Sequence, residues 1–67
     1  MEMNNEKIIK MIYAALEIKH VAFTMYQKDN STFFIFNGEI IEICNEIIYY
    51  NAERLDDVND ALKAIKR

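Results

Sequence analysis

The sequence has little of what small proteins use to reinforce a thin core. Cys44 is the only cysteine and His20 the only histidine among the 67 residues. An internal disulfide is therefore impossible, and a zinc site would have too few ligands. A core of this size contributes only about 3–5 kcal/mol of net stability. We therefore expect no metal and no cofactor, and we expect a homodimer as the remaining means of stabilisation.

Proline is absent and Gly38 is the only glycine, while 52% of the residues are hydrophobic. This composition excludes a disordered chain. No apolar run approaches the roughly 20 residues that a membrane span requires, and the first six residues lack the basic start of a signal peptide. The sequence thus predicts one small soluble domain over residues 1–67, located in the cytoplasm and without a membrane partner.

An excess of positive charge is also missing, since the net charge is −3. Nucleic-acid binding takes most of its affinity from Lys and Arg side chains that neutralise phosphates, so a nucleic-acid partner is disfavoured. Lys63, Lys66 and Arg67 do cluster near the C-terminus. Cations in the last turn of a helix complement its dipole, which explains the cluster without a ligand.

Two segments have the apolar spacing of amphipathic helices. The first covers residues 5–19 and the second covers residues 55–66. The apolar stripe of the first helix comprises Ile8, Ile9, Met11, Ile12, Ala15, Leu16 and Ile18. The stripe of the second comprises Leu55, Val58, Ala61, Leu62 and Ile65. The first stripe is wider than packing on a sheet requires, so part of it could meet a second chain.

Between the helices, three segments alternate as strands do: residues 21–26, 32–36 and 39–43. Asn37-Gly38 separates the last two and predicts a type I′ hairpin turn, which places Phe34 opposite Ile41. Residues 44–50 suit either a bent continuation of strand three or an early start of the last helix, and their β-branched and aromatic content favours the strand. The predicted fold is α+β, in the order α-β-β-β-α, with a three-stranded antiparallel meander and both helices packed on one face.

The alternation divides the strand residues between two faces of the sheet. The predicted core face carries Val21, Phe23, Met25, Phe34, Phe36, Ile41 and Ile43. The opposite face carries Tyr26, Phe33, Ile35 and Ile40, rimmed by Thr24 and Glu42, and could be extended by Tyr49 and Tyr50. Apolar patches of this kind mark interfaces on soluble proteins. The alternative is that one helix crosses to this side and buries the patch.

The densest group of charges is acidic and consists of Glu53, Asp56, Asp57 and Asp60. Acids in the first turn of a helix favour the positive end of its dipole. Together with Glu39, Glu42 and Glu46, they could instead form an acidic surface that imitates nucleic-acid phosphates. The spacing of a calcium-binding EF-hand loop is absent.

Catalytic chemistry has few candidates. Cys44 and His20 could form a nucleophile and base, but buried cysteines and helix-end histidines are more often structural. No glycine-rich phosphate loop is present. The sequence therefore predicts a non-catalytic protein-binding module, an inhibitor or adaptor of the type that phages and mobile elements encode, acting by occupying a surface of another protein. The alternatives are an acidic nucleic-acid mimic and a small nucleic-acid-binding regulator.

Overall fold

The computed structural model describes residues 5–65, and the predicted contributions of Lys66 and Arg67 lie outside this range. The fold is α+β, with a helix at each end of one antiparallel sheet. The elements are α1 (Asn5–Ile18), β1 (Thr24–Lys28), β2 (Ser31–Phe36), β3 (Glu39–Cys44), β4 (Ile47–Tyr50), β5 (Glu53–Leu55) and α2 (Val58–Ile65). The spatial order β1-β2-β3-β4-β5 follows the chain. The α+β class is confirmed, but the sheet has five strands and not the predicted three.

The predicted hairpin between β2 and β3 is confirmed. Asn37 and Gly38 have φ angles of 50° and 76°, as the two central residues of a type I′ turn require. Phe34 lies opposite Ile41 in the resulting register. A two-residue turn also joins β1 to β2, where Lys28 lies opposite Ser31.

The two additional strands arise from two turns that lack glycine. Asn45 and Glu46 have φ angles of 51° and 66°, and Asn51 and Ala52 have φ angles of 51° and 73°. Each pair reverses the chain as Asn37-Gly38 does. Residues 47–50 are therefore a strand, as predicted, but they return beside β3 and are not a bent continuation of it. Asparagine at the first position tolerates positive φ, whereas Glu46 and Ala52 adopt it against their preference.

Asn51 also lengthens the pairing between β3 and β4. Its amide donates to the carbonyl of Ile40 at 2.8 Å, and its side-chain Oδ1 accepts from the amide of Ile40 at 2.9 Å. At the other end of β3, the amide of Glu46 donates to the side-chain oxygen of Asn5, which ties this turn to the start of α1.

One face of the sheet and both helices share a single hydrophobic core. α1 packs against β3 and α2, and α2 packs on β4 and β5. The buried apolar residues are Ile8, Ile12, Leu16, Phe34, Phe36, Ile41, Ile43, Ile48, Val58, Ala61 and Ile65. Every strand residue in this set lies on the same face by register. Burial of Phe34, Phe36, Ile41 and Ile43 confirms the predicted core face.

The edge strand β1 departs from the prediction. It begins at Thr24 and not at residue 21, although Phe23 still packs against the core, with its ring 5.9 Å from that of Phe34. Met25 lies on the core face but is 42% exposed. Because α1 packs over β3 and α2 over β4 and β5, neither helix covers β1 at the other edge of the sheet.

The helix ends also refine the prediction. The amide of His20 donates a hydrogen bond to the carbonyl of Glu17, and the amide of Val21 donates one to the carbonyl of Leu16. These two bonds end α1 in a Schellman motif, with His20 at a φ of 58°. α2 begins at Val58 and not at residue 55, because Leu55 belongs to β5.

Candidate functional site

The candidate site is the open face, the face of the sheet opposite the helices. In the part of the chain that the structure describes, both helices pack on the other side and leave this face uncovered. Strand register assigns the open face to Thr24, Tyr26, Lys28, Ser31, Phe33, Ile35, Ile40, Glu42, Cys44, Ile47, Tyr49 and Arg54. The fold therefore does not follow the alternative prediction, in which one helix crosses to this side and buries the face.

A row of side chains crosses the middle of the open face, one from each strand. Its order is Tyr26, Phe33, Glu42, Tyr49 and Arg54, each directly opposite the next. The rings of Tyr26 and Phe33 are stacked, with centroids 4.9 Å apart and planes 12° apart. Tyr26 is 43% exposed. The row thus presents a preassembled aromatic pair at the β1 side and a tyrosine beside an arginine at the β5 side.

Aliphatic side chains extend the open face on both sides of this row. Ile35 and Ile40 lie opposite each other next to the Asn37-Gly38 turn, and Ile40 is 42% exposed. On the other side, Cys44 lies opposite Ile47. The open face is therefore largely apolar from the hairpin turn to the end of β3.

Polar or charged side chains on the open face come from Thr24, Lys28, Ser31, Glu42 and Arg54. The Ser31 hydroxyl donates to the Glu42 carboxylate at 2.8 Å. Lys28 and Arg54 lie on the two edge strands, so one acidic group at the centre is flanked by one basic group on each side. The open face thus carries more basic than acidic groups, whereas the whole chain carries more acidic than basic groups.

Five of the six predicted binding residues come together on the open face: Tyr26, Phe33, Ile35, Ile40 and Tyr49. Tyr50 does not, because adjacent strand residues point to opposite faces. It packs against the hydrophobic core, and its hydroxyl donates to the Glu39 carboxylate.

Sequence reasoning missed Ile47 and Arg54 as members of the open face. Both lie on strands that follow the two turns without glycine. Asn45 and Asn51 were the available signals, since asparagine opens each of these turns as Asn37 opens the predicted one.

The residues of the predicted acidic surface are brought together in part, since Glu46, Asp56 and Asp57 line one cleft beside α2. Glu53 pairs with Tyr50 on the helix side of the sheet, whereas Glu42 lies on the open face. Asp57 caps α2: its side-chain oxygen accepts from the amides of Asn59 at 2.8 Å and Asp60 at 3.3 Å. Asp56 is exposed in the bend before α2. These capping hydrogen bonds give Asp57 a structural role at the start of α2.

Cys44 and His20 lie at opposite ends of α1. Cys44 precedes the turn that contacts Asn5, while His20 follows the last turn of the helix. A helix of 14 residues is about 21 Å long, so the two side chains are not brought together. Among residues 5–65, no three His, Cys, Asp or Glu side chains are grouped as metal ligands.

A shallow cleft of about 250 Å³ lies between α1, β4, β5 and the start of α2. Its apolar lining comes from Ile8, Ile48, Leu55 and Val58, and its polar lining from Glu46, Asp56, Asp57 and Asn59. Neither helix of the described segment combines the length and apolar sequence needed to cross a membrane.

The comparisons with known proteins found no relative. No protein-family model, no curated protein sequence and no solved structure matches this chain.

Proposed function

We propose that this chain is a non-catalytic protein-binding module that occupies a surface of another protein through its open face. The supporting observation is that the open face carries a stacked Tyr26–Phe33 pair and the exposed Ile40, with no helix over them in residues 5–65. A role as an inhibitor or adaptor, of the type that phages and mobile elements encode, fits this arrangement.

The chemistry of the open face suits a protein partner. Aromatic side chains supply large contact areas, and tyrosine hydroxyls accept or donate hydrogen bonds at the edge of an apolar contact. Tyr26 and Phe33 already stack on each other, so their rings lose little conformational freedom on binding. The matching partner surface is largely apolar, with a hydrogen-bond donor at its centre to meet Glu42 and acidic groups at its rim to meet Lys28 and Arg54.

The fold gives the open face a fixed shape. Four two-residue turns hold five strands in one register, so the apolar side chains sit on a continuous ladder and not on loops. Residues held on rigid elements present the same arrangement before and after binding. We therefore propose that the sheet contacts the partner and that the helices stabilise the sheet.

The proposal is tested with a double variant, Tyr26→Ser with Ile40→Ser, which removes two exposed apolar side chains of the open face. The matched control is Ile18→Ser, since Ile18 is 72% exposed on α1 and lies away from the open face. Each tagged chain is used to retain proteins from an extract of the organism that encodes it. A retained protein is then purified and its affinity for all three chains is measured by calorimetry.

We expect the double variant to lose at least tenfold in affinity and the Ile18→Ser control to keep the wild-type value. Equal binding by all three chains would contradict the proposal. Loss of binding by the control alone would move the site to α1.

Ionic strength separates this proposal from the charge-driven alternatives. An acidic mimic acting through Glu53, Asp56, Asp57 and Asp60 would weaken steeply with added salt, as would a complex with nucleic acid. An apolar contact through the open face responds little to salt. A steep salt dependence, or a complex with nucleic acid and not with protein, would therefore reject the open face as the main contact.

A further inference from the structure

Within residues 5–65, no other segment protects the edge strand β1. All five of its residues are exposed, and Lys28 at its end is the only charged one. The opposite edge, β5, has only three residues, two of which are Glu53 and Arg54. Natural sheets protect their edges with short strands and charges, as β5 does, because a free edge pairs with other strands. β1 has the opposite properties.

The two-residue turn between β1 and β2 determines which backbone groups of β1 face outward. Such a turn is closed by a hydrogen-bonded pair, here Lys28 with Ser31, and these pairs alternate along the ladder. Tyr26 and Thr24 therefore bond to β2. The amide and carbonyl groups of Met25 and Gln27 point away from the sheet, where they can bond to an added strand.

The strand is complementary to itself in one antiparallel register. When two copies pair with Tyr26 at the centre, Met25 of each copy lies opposite Gln27 of the other. All four outward amide and carbonyl groups of each strand are then used, in two hydrogen-bonded pairs. Lys28 lies opposite Thr24 of the second copy, so no like charges face each other.

The same register joins the two open faces. Tyr26 lies on the open face, so its ring comes next to Tyr26 of the second copy in a close, non-hydrogen-bonded pair. The stacked Tyr26–Phe33 pair of each chain then continues across the junction as one row of four aromatic rings.

Charge and exposure on the helix side agree with this pairing. Glu53, Asp56 and Asp57 lie on or next to β5, at the edge farthest from β1, so two copies that meet at β1 keep these acids apart. Met25 is 42% exposed on the helix side, where the helix layer leaves the edge uncovered. Pairing would place it against Gln27 of the second copy.

We propose that two copies of this chain pair through β1, antiparallel and centred on Tyr26, to form a ten-stranded sheet with all four helices on one side. A two-fold axis perpendicular to the sheet relates the copies. The dimer doubles the open face and does not depend on what that face binds.

Native mass measured by light scattering over a wide range of concentration tests the pairing. We expect the wild-type chain to have the mass of two chains. Met25→Pro removes an outward amide without breaking the ladder to β2, since proline is tolerated on an edge strand where its nitrogen faces solvent. This variant should have the mass of one chain and an unchanged circular dichroism spectrum. A wild-type monomer at every concentration, or a Met25→Pro dimer, would overturn the proposal.

Charge pairs test the register without proline. Met25→Lys with Gln27→Lys places like charges opposite each other across the junction and should yield monomers at low salt. Met25→Glu with Gln27→Lys places opposite charges there and should keep the dimer. Equal behaviour of the two double variants would reject this register.

A cysteine cross-link measures the geometry directly, in a chain that carries Cys44→Ser. Cα atoms of a non-hydrogen-bonded pair lie about 4.5 Å apart, within disulfide range, so Tyr26→Cys should form a covalent dimer on mild oxidation. Thr24→Cys is the control, because its two copies would lie about 14 Å apart, four residues along the strand. Equal cross-linking of both variants would contradict the register. Met25→Pro keeps the open face, so partner binding by this monomer would show that the two proposals stand separately.

Discussion

Phe33 and Phe34 are consecutive residues of β2 whose rings lie on opposite sides of the sheet. Phe34 has no exposed surface and lies in the core formed with the helices. Phe33 is half-buried on the open face and stacks on Tyr26. Two identical side chains at neighbouring positions thus take part in different tasks, one in folding and the other in the proposed binding.

This pair allows folding and binding to be separated with one type of substitution. Removing a buried phenylalanine side chain costs about 3–5 kcal/mol, which equals the whole net stability of a core this small. We expect Phe34→Ala to be unfolded at room temperature by circular dichroism. Phe33→Ala loses an aromatic contact worth about 1 kcal/mol and should stay folded.

Partner binding completes the comparison. Phe33→Ala should lose affinity for the protein partner while its thermal transition remains cooperative. If Phe33→Ala unfolds as Phe34→Ala does, the open face is a second core surface. That result would contradict its proposed role in binding.

The turn between β4 and β5 stores strain that glycine would relieve. Ala52 has a φ of 73°, in the left-handed region that costs an L-residue about 1–2 kcal/mol. Glycine at this position would remove that cost from the folded state. Part of the resulting gain in stability is lost because glycine has more conformational freedom in the unfolded chain. We therefore expect Ala52→Gly to raise the free energy of unfolding by about 0.5–1 kcal/mol, measured by urea denaturation.

The control for this prediction is Ala14→Gly. Ala14 is also exposed but lies within α1, where glycine costs about 1 kcal/mol relative to alanine. Opposite signs for the two substitutions would support the observed turn. A loss of stability in both would mean that residues 51–52 do not form it.

Asp57 and its neighbour Asp56 should differ in their effects on α2. Asp57 accepts two backbone hydrogen bonds at the start of the helix, so Asp57→Ala should cost about 1 kcal/mol of stability. Asp56→Ala changes the net charge equally and should alter stability by less than about 0.5 kcal/mol. Urea denaturation of both variants gives the comparison, and equal losses would show that charge, and not the cap, is what matters.

The sequence was most informative where alternation and a glycine turn acted together. Asn37-Gly38 sets the register of β2 and β3, and the alternation on both sides of it predicts the buried positions of Phe34 and Ile41 correctly. The strand conformation of residues 47–50 was predicted correctly, but β5 and the turns that make β4 and β5 separate strands were missed. Glu46 and Ala52 take positive φ angles in these turns that their side chains disfavour. The pairing of whole strands holds these residues in place.

The same gap explains the errors in the candidate site. Both Tyr49 and Tyr50 were placed with the aromatic patch, although adjacent residues of one strand lie on different faces. The turn at residues 45–46 sets the register that puts Tyr49, and not Tyr50, on the open face. The exposure of Met25 depended on where α1 lies across the sheet, which the apolar stripe of a helix does not determine.

Isoleucine methyl groups offer the most direct test of the open face, because the chain carries isoleucines both on this face and away from it. Ile35, Ile40 and Ile47 lie on the open face, whereas Ile18 is exposed on α1. The measurement is a titration of the isoleucine-methyl-labelled chain with its purified protein partner, followed by NMR. We predict that the signals of the three open-face residues shift or broaden first, and that the signal of Ile18 stays unchanged. Perturbation of Ile18 with the three open-face signals unaffected would contradict the account.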